Sequence, residues 1–437
     1  MTHGKSKTAK SEAEAAPADA RLTREQACAA LSITPEFLDR LERSGALAAD
    51  AQGRLDPLAV GAAAVRFGWR QAEAADLKLS EVGAALTESG FPHVPKVLGA
   101  LEYRSHRGES MTLAVMQSFV ANHGNAWDFT LDALDRFLAQ AVDQGVTMPK
   151  ESLHNAAALL DSAGSDPPVA IASLLEPYLP IVRLLGERTA EMHRVLTDIR
   201  ANPNFAPEPF TTFSQRSLYQ SMRSLTARVL HAVREAAPGL PEDHRATAET
   251  ILAHEHRILD RIRSILALPI GGQKIRCHGD YNLGQVLRTD GDIVIIDFEG
   301  EPDRFIEERR LKASPLRDVA GMLWSFHHAA ETAGTRYTAR VSEASTEQRA
   351  TINDLVLTWY RGVATEYLDA YLREAGTEQF LPKSQEERST LLDAYLQEKA
   401  LYELGYEVNH RPTQDWVRFG QVLEIFGIQQ LVQGHPV

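Results

Sequence analysis

Asp280, Gln285 and Asp297 stand out in this sequence for their type and spacing. They fall within Cys277-His278-Gly279-Asp280-Tyr281-Asn282-Leu283-Gly284-Gln285 and Ile296-Asp297-Phe298-Glu299-Gly300. Phosphoryl transfer asks little covalent chemistry of a protein. It needs a carboxylate to orient the attacking hydroxyl and accept its proton, and hard oxygens to hold Mg²⁺ on the nucleotide phosphates. Asp280 sits in a loop suited to the first task. Gln285 and Asp297 supply oxygens for the second.

The elements around them fit those tasks. Val286-Leu287 and Ile293 to Ile296 read as two short strands joined at Asp290-Gly291, a hairpin turn signal. The hairpin returns Asp297, at the end of an apolar strand, to the loop that carries Asp280. Base, first metal ligand, hairpin, second metal ligand is the order found in protein-kinase catalytic machinery. His278 would brace the loop, and Gly279 would permit its tight turn.

Bulk properties set the frame. The chain has 437 residues, 44% hydrophobic and 24% charged, enough for two or three domains. A formal net charge of −13 argues against nonspecific nucleic-acid binding by the whole chain. The two cysteines, Cys28 and Cys277, form neither a disulfide framework nor a zinc motif, which suits a reducing cytoplasm. No apolar run approaches the roughly 20 residues of a membrane span, so no membrane partner is expected. The N-terminus lacks the apolar core of a signal peptide.

Residues 1–20 read as a disordered tail and residues 21–70 as a small helical domain with helix-turn-helix spacing. Residues 71–124 hold a helix, a hairpin of two β-rich segments (Lys96 to Tyr103 and Met111 to Val120) and a connecting stretch. Residues 125–437 are almost wholly helical apart from the central hairpin. Expected helices include Leu131 to Gln144, Leu174 to Arg200, Gln215 to Ala236, Ala246 to Leu268, Leu316 to Ala333, Glu347 to Glu374, Glu386 to Asn409 and Trp416 to Val432.

From about Asp76 onward the chain resembles the maltokinases, including the kinase part of trehalose synthase–maltokinase fusions. Shared segments include Gly90-Phe91-Pro92-His93-Val94-Pro95, Leu113-Ala114-Val115-Met116-Gln117-Ser118-Phe119-Val120, Phe205-Ala206-Pro207-Glu208-Pro209-Phe210, Ser314-Pro315-Leu316-Arg317-Asp318 and Lys399-Ala400-Leu401-Tyr402-Glu403-Leu404. The resemblance implies an α+β, mainly α class. Within it the fold would be protein-kinase-like, with a reduced N-lobe, a large helical C-lobe and the small N-terminal helical domain in addition. It implies ATP-dependent, Mg²⁺-assisted phosphorylation of maltose to maltose 1-phosphate for α-glucan (glycogen) synthesis in the cytoplasm, in association with a trehalose synthase or other α-glucan enzyme.

By the same resemblance Asp280 would be the base, and Gln285 and Asp297 the Mg²⁺ ligands. Met116, Gln117, Phe119 and Val120 would be the hinge that meets adenine. Tyr402, Glu403, Tyr406, Glu407 and Arg411 would face the sugar, since aromatic faces stack on a pyranose while carboxylates and Arg pair with its hydroxyls. The same pattern on a helix also reads as ordinary packing with a charged face. His278 and Asn282 would support the loop, with Arg317 and Asp318 expected to pair and brace it.

Three departures keep alternatives open. Asn282 stands where the family usually carries His. The family's N-terminal cap, phosphate loop and Lys-bearing strand are not found ahead of the shared region. The family's helix reading Asp-Leu-Glu is Asp76-Leu77-Lys78 here, so both members of the usual Lys–Glu pair are missing. An active kinase with a substitute cation, a catalytic half joined to a foreign N-terminus, and a sugar- or nucleotide-sensing pseudokinase coupled to the N-terminal domain are all compatible. Residues Leu22 to Val60 resemble the helix-turn-helix of MerR and excisionase proteins. Glu36, Asp39 and Glu42 against Arg40 and Arg43 make that helix poorly suited to DNA, so a protein-docking role is equally open.

Overall fold

A computed structural model of the chain describes residues 77–104, 110–148, 156–302, 304, 306–341 and 345–410. The expected tail, helix-turn-helix domain, most of the connection between the two β-rich segments, Arg411 and helix Trp416 to Val432 lie outside these residues. The chain divides into two units. One comprises Met1–Ala74 with Glu102–Leu113, of which only the outer ends of two strands are described. The other, Ala75–Leu101 with Ala114–Val437, carries everything below.

It begins with α1 (Leu77–Glu88), followed by strands β1 (Val97–Arg104) and β2 (Ser110–Gln117), which pair as a two-stranded sheet. At the base of this hairpin Ser118 N donates to Lys96 O at 2.8 Å. Helices α2 (Ala126–Asp143), α3 (Ala156–Asp161), α4 (Val169–Leu175) and α5 (Leu179–Asp198) come next. Asn125 caps α2, its side chain accepting from Asp128 N at 2.8 Å. The expected single helix Leu174 to Arg200 is broken at Glu176-Pro177-Tyr178. Pro177 has no N–H to continue the helical ladder, and Tyr178 turns into the core to bond Thr130 at 2.6 Å.

Then come β3 (Glu208–Pro209), α6 (Thr212–Ala236), α7 (Glu242–Ala253), α8 (Glu255–Arg263) and β4 (Gln273–Lys274). α7 and α8 divide the expected helix Ala246 to Leu268 at His254, whose ring bonds the Thr250 carbonyl at 2.8 Å. β3 pairs antiparallel with β4. After the central loop, β5 (Val286–Arg288) and β6 (Ile293–Ile295) pair antiparallel with Val286 opposite Ile295. Helices α9 (Ile306–Arg309), α10 (Leu316–Arg340), α11 (Thr346–Ala375) and α12 (Gln385–His410) complete the described chain.

The core is helical. α5 lies along α11, α10 packs on α11 and α12, and α12 packs on α6. Apolar residues at three- and four-residue spacing, such as Leu355, Trp359, Val363 and Tyr367 on α11, make the buried stripes. The mainly helical α+β class is as expected. Among the described residues no single helix is long and apolar enough to cross a membrane.

Candidate active site

The hairpin β5–β6 is the mechanical centre of the site. On one edge Arg288 N donates to Gly124 O (3.0 Å) and His123 N to Arg288 O (2.8 Å). On the other edge Ile295 N donates to His93 O at 2.8 Å. Arg188 of α5 grips both Asp292 oxygens, Nε to Oδ1 at 3.0 Å and Nη2 to Oδ2 at 2.9 Å. Such a bidentate contact fixes orientation as well as position. The hairpin is thus fastened to the stretch after the hinge, to the stretch after α1, and to the helical core.

This hairpin brings Gln285 and Asp297 together. Ile296 N donates to the Gln285 carbonyl at 2.9 Å, so Asp297 follows directly on the residue paired with Gln285. His278 Nε2 meets the Ile296 carbonyl at 2.9 Å, which clips the Asp280 loop to the same point. Its ring lies 4.7 Å from that of Phe298, centroid to centroid. Asp297 has φ +64°, the one non-glycine residue with positive φ among those described. Such backbone strain gathers at functional positions, where the surrounding structure holds it. Gly279 has φ +85°, as a tight turn ahead of Asp280 needs.

Asp318 braces the loop from within. It is buried, and accepts from His278 N (2.8 Å), Gly279 N (2.9 Å) and His193 Nε2 (3.0 Å). Burial pushes its carboxyl up, but the His193 hydrogen bond and charge, with His278 and the Gly279 amide, outweigh that and hold it at about 2. Asn282 folds the turn that follows. Its Oδ1 accepts from Gly284 N (2.9 Å) and its amide donates to Asp280 O (3.0 Å). Gly321 lets α10 touch the loop, since a Cβ there would lie 2.6 Å from Tyr281 O.

The expected Arg317–Asp318 pair is corrected. Adjacent residues on a helix point in different directions. Asp318 faces the loop, while Arg317 Nη2 donates to Glu301 Oε2 at 2.9 Å. Glu301 is the hub of a buried network. It also takes Arg304, and its Oε1 meets Lys399 Nζ at 3.2 Å. Burial raises the Glu301 carboxyl, but Arg304, Lys399 and Arg317 hold it well below the ordinary carboxylate range. Lys399 also reaches Asp280 Oδ1 (3.3 Å) and Glu403 Oε1 (3.0 Å).

The departure at Asp76-Leu77-Lys78 also reads differently in three dimensions. α1 does carry an acidic residue turned to the catalytic half: Glu81 Oε2 takes both terminal nitrogens of Arg276 at 3.2 Å, and its other oxygen pairs with Arg310. Arg276 is 1% exposed, two residues before His278. Burial lowers its pKa from the ordinary value, with Glu81 pulling the other way.

The other expected site residues fall as follows. Met116 (60% exposed) and Phe119 (90% exposed) present bare apolar side chains where the hinge is expected, beside exposed Gln117 and half-buried Val120. Tyr402 and Glu407 are buried in the packing of α12, while Glu403 and Tyr406 are half-buried. The Tyr402 ring covers Lys399, 5.0 Å from Nζ to the centroid. Asp280, Glu301, Arg317, Glu398 and Lys399 line one cleft. Lys399, Glu301, Glu81, Arg276 and His193 were not singled out from sequence, because contacts that place them span 98 residues of chain (Lys399 to Glu301), 195 (Arg276 to Glu81) and 125 (His193 to Asp318).

Asp297 and Gln285 fit a divalent cation by donor type. Both are half-buried, and among the described residues neither side chain forms a hydrogen bond or ion pair. No group of three or more His, Cys, Asp and Glu side chains able to hold a metal occurs among the described residues. A Mg²⁺ shared with phosphates needs only one or two protein ligands.

Comparison with known proteins places this geometry in a family. A curated glucosamine kinase of Streptacidiphilus jiangxiensis is 26% identical over 288 residues, covering 66% of this chain and 52% of the relative. A glucosamine kinase of Mycolicibacterium smegmatis (strain ATCC 700084 / mc(2)155) is 28% identical over 279 residues, covering 64% and 60%. The chain therefore spans little more than half the length of these relatives. A solved glucosamine kinase in complex with glucosamine, ADP and inorganic phosphate superposes with TM-score 0.54 at 21% identity, over 81% of this chain and 73% of that one. A second glucosamine kinase structure, crystal form A, gives 0.54 at 20% identity over 82% and 72%. These superpositions show a shared kinase-like fold. The phosphotransferase enzyme family model, APH, matches residues 136–376, more than half of the chain, and the chain belongs to that family.

Proposed function

We propose that the chain is an ATP-dependent sugar kinase. The observation that carries this reading is the clipping of three elements at Ile296, with Asp280 on the loop and the uncommitted oxygens of Gln285 and Asp297 on the hairpin. Asp280 accepts the proton of the acceptor hydroxyl as its oxygen bonds to the γ-phosphorus, and the bond to the ADP oxygen breaks. Gln285 and Asp297 would hold Mg²⁺, which would supply charge neutralisation at the nucleotide phosphates. The exposed face of Met116 and Phe119, with Gln117 and Val120, takes the adenine of ATP. The sugar enters between the hairpin and α12, near Glu403 and Tyr406.

The relatives' printed activity makes glucosamine the first acceptor to test. The sequence resemblance makes maltose the second, and with it a place in α-glucan synthesis beside a trehalose synthase, in the cytoplasm. The experiment is ADP release with MgATP and glucosamine, maltose or glucose, comparing wild type with Asp280→Asn. Turnover in the ordinary kinase range of about 1–100 s⁻¹ is expected, with Asp280→Asn slower by about 10²–10⁴-fold. Wild type no faster than Asp280→Asn on every sugar would refute the reading. Nucleotide binding without turnover would point to a sensor instead.

A further inference from the structure

We infer that Lys399 is a positioning residue that clamps one oxygen of Asp280 and leaves the other to the acceptor hydroxyl. The inference rests on the sugar-kinase reading and adds to it a residue that does not touch substrate.

An ammonium has three N–H donors and no acceptor. Lys399 Nζ meets three carboxylates: Glu403 Oε1 at 3.0 Å, Glu301 Oε1 at 3.2 Å and Asp280 Oδ1 at 3.3 Å. Its donors are therefore fully used, and its side chain is only 9% exposed under the Tyr402 ring. It has nothing left to offer a sugar or a phosphate. Burial alone would lower its pKa, yet Glu403, Glu301 and Asp280 together raise it well above the ordinary value, so the ammonium is a fixed charge.

Two of those three contacts anchor Lys399 and the third delivers it. Glu403 lies one turn along the same helix, and Glu301 is itself pinned by Arg304 and Arg317. Asp280 is the contact on the catalytic loop. Among the described residues its Oδ2 has no partner. Asp318 holds the backbone of the loop through the His278 and Gly279 amides, but no bond from Asp318 reaches the Asp280 carboxylate. Lys399 supplies that missing restraint. It selects one rotamer of Asp280 and leaves Oδ2 to the acceptor hydroxyl.

The test is a double-variant cycle on kcat with Asp280→Asn and Lys399→Met, a neutral side chain of similar length. Glu301 keeps both arginines in Lys399→Met, and a thermal midpoint confirms folding. The expected result is a kcat lower by about 10²-fold with KM for MgATP and sugar unchanged. In the Asp280→Asn background the second substitution should change nothing, because it acts only through that carboxylate. Lys399→Arg, which keeps a cation in reach of Asp280, should retain more activity than Lys399→Met. An equal fall in both backgrounds, a raised sugar KM at unchanged kcat, or Arg slower than Met would overturn the inference. Wild type silent on all sugars would overturn the kinase reading, and this inference with it.

Discussion

Replacing Asp318 by Asn keeps the shape of the side chain and removes its charge. In the wild type the two carboxylate oxygens receive the amides of His278 and Gly279 at 2.8 and 2.9 Å and the His193 ring at 3.0 Å. An Asn has one acceptor oxygen and two donors. At least one buried N–H must then face another donor, a loss of about 1–3 kcal/mol. The depressed carboxyl gives a second reading of the same contacts, because the His193 and Gly279 hydrogen bonds are among its causes. The carboxyl is held at about 2 against an ordinary 3.8. At 1.36 kcal/mol per unit that is roughly 2–3 kcal/mol favouring the folded state. The two readings overlap and are not summed; the substitution should destabilise by roughly 3–5 kcal/mol at pH 7, as breaking a buried charged contact generally does.

The sign with pH follows from the depressed folded value. Asp318's contribution is complete above about pH 4, where the unfolded chain's carboxyl is also ionised, and fades as pH falls toward 2. Urea unfolding of wild type and Asp318→Asn at several pH values measures both effects. The gap between the two should be wide at pH 7 and narrow below pH 4. A gap under about 0.5 kcal/mol at pH 7, the size of an ordinary surface substitution, would refute the reasoning. So would a gap that does not narrow in acid.

Other outcomes follow from the same geometry. Asp297→Ala should abolish the Mg²⁺-dependent part of ADP binding in calorimetry, matching wild type in EDTA; equal MgADP affinity in both proteins would rule out the ligand assignment. Glu81→Gln leaves Arg276, 1% exposed, beside a neutral amide, and should destabilise by about 3–5 kcal/mol in urea. The Arg310 contact, 37% exposed on the arginine side, should contribute little to that figure. Gly321→Ala would drive a Cβ to 2.6 Å from Tyr281 O. It should lose about 1–3 kcal/mol and lower kcat more than KM for ATP, because the displaced carbonyl follows Asp280 directly.

Much of this protein is legible along the chain. The Asp280 loop, the β5–β6 hairpin and Asp297 form a local signal, since a tight turn and a two-strand ladder need only residues close in sequence. The long helices α6, α10, α11 and α12 follow from apolar spacing, and a capping box at Ser345 and Gln348 starts α11. The break at Pro177 was signalled by the proline itself yet not read, while the break at His254 depends on where its ring finds a hydrogen bond. The pairing of β3 with β4 joins two-residue strands too short to show a period.

What the sequence determined by itself is the set of groups on offer: the Asp280 carboxylate, the oxygens of Gln285 and Asp297, and the hairpin that joins them. What only the tertiary structure decided is how those groups are held. Asp318 turned away from Arg317 and took the loop's amides, Glu81 took Arg276 and Arg310, and Lys399 met Asp280 from 119 residues away. The reason is physical. Ion pairing between buried groups depends on which helix faces meet, and helix packing fixes that only when the whole core has closed.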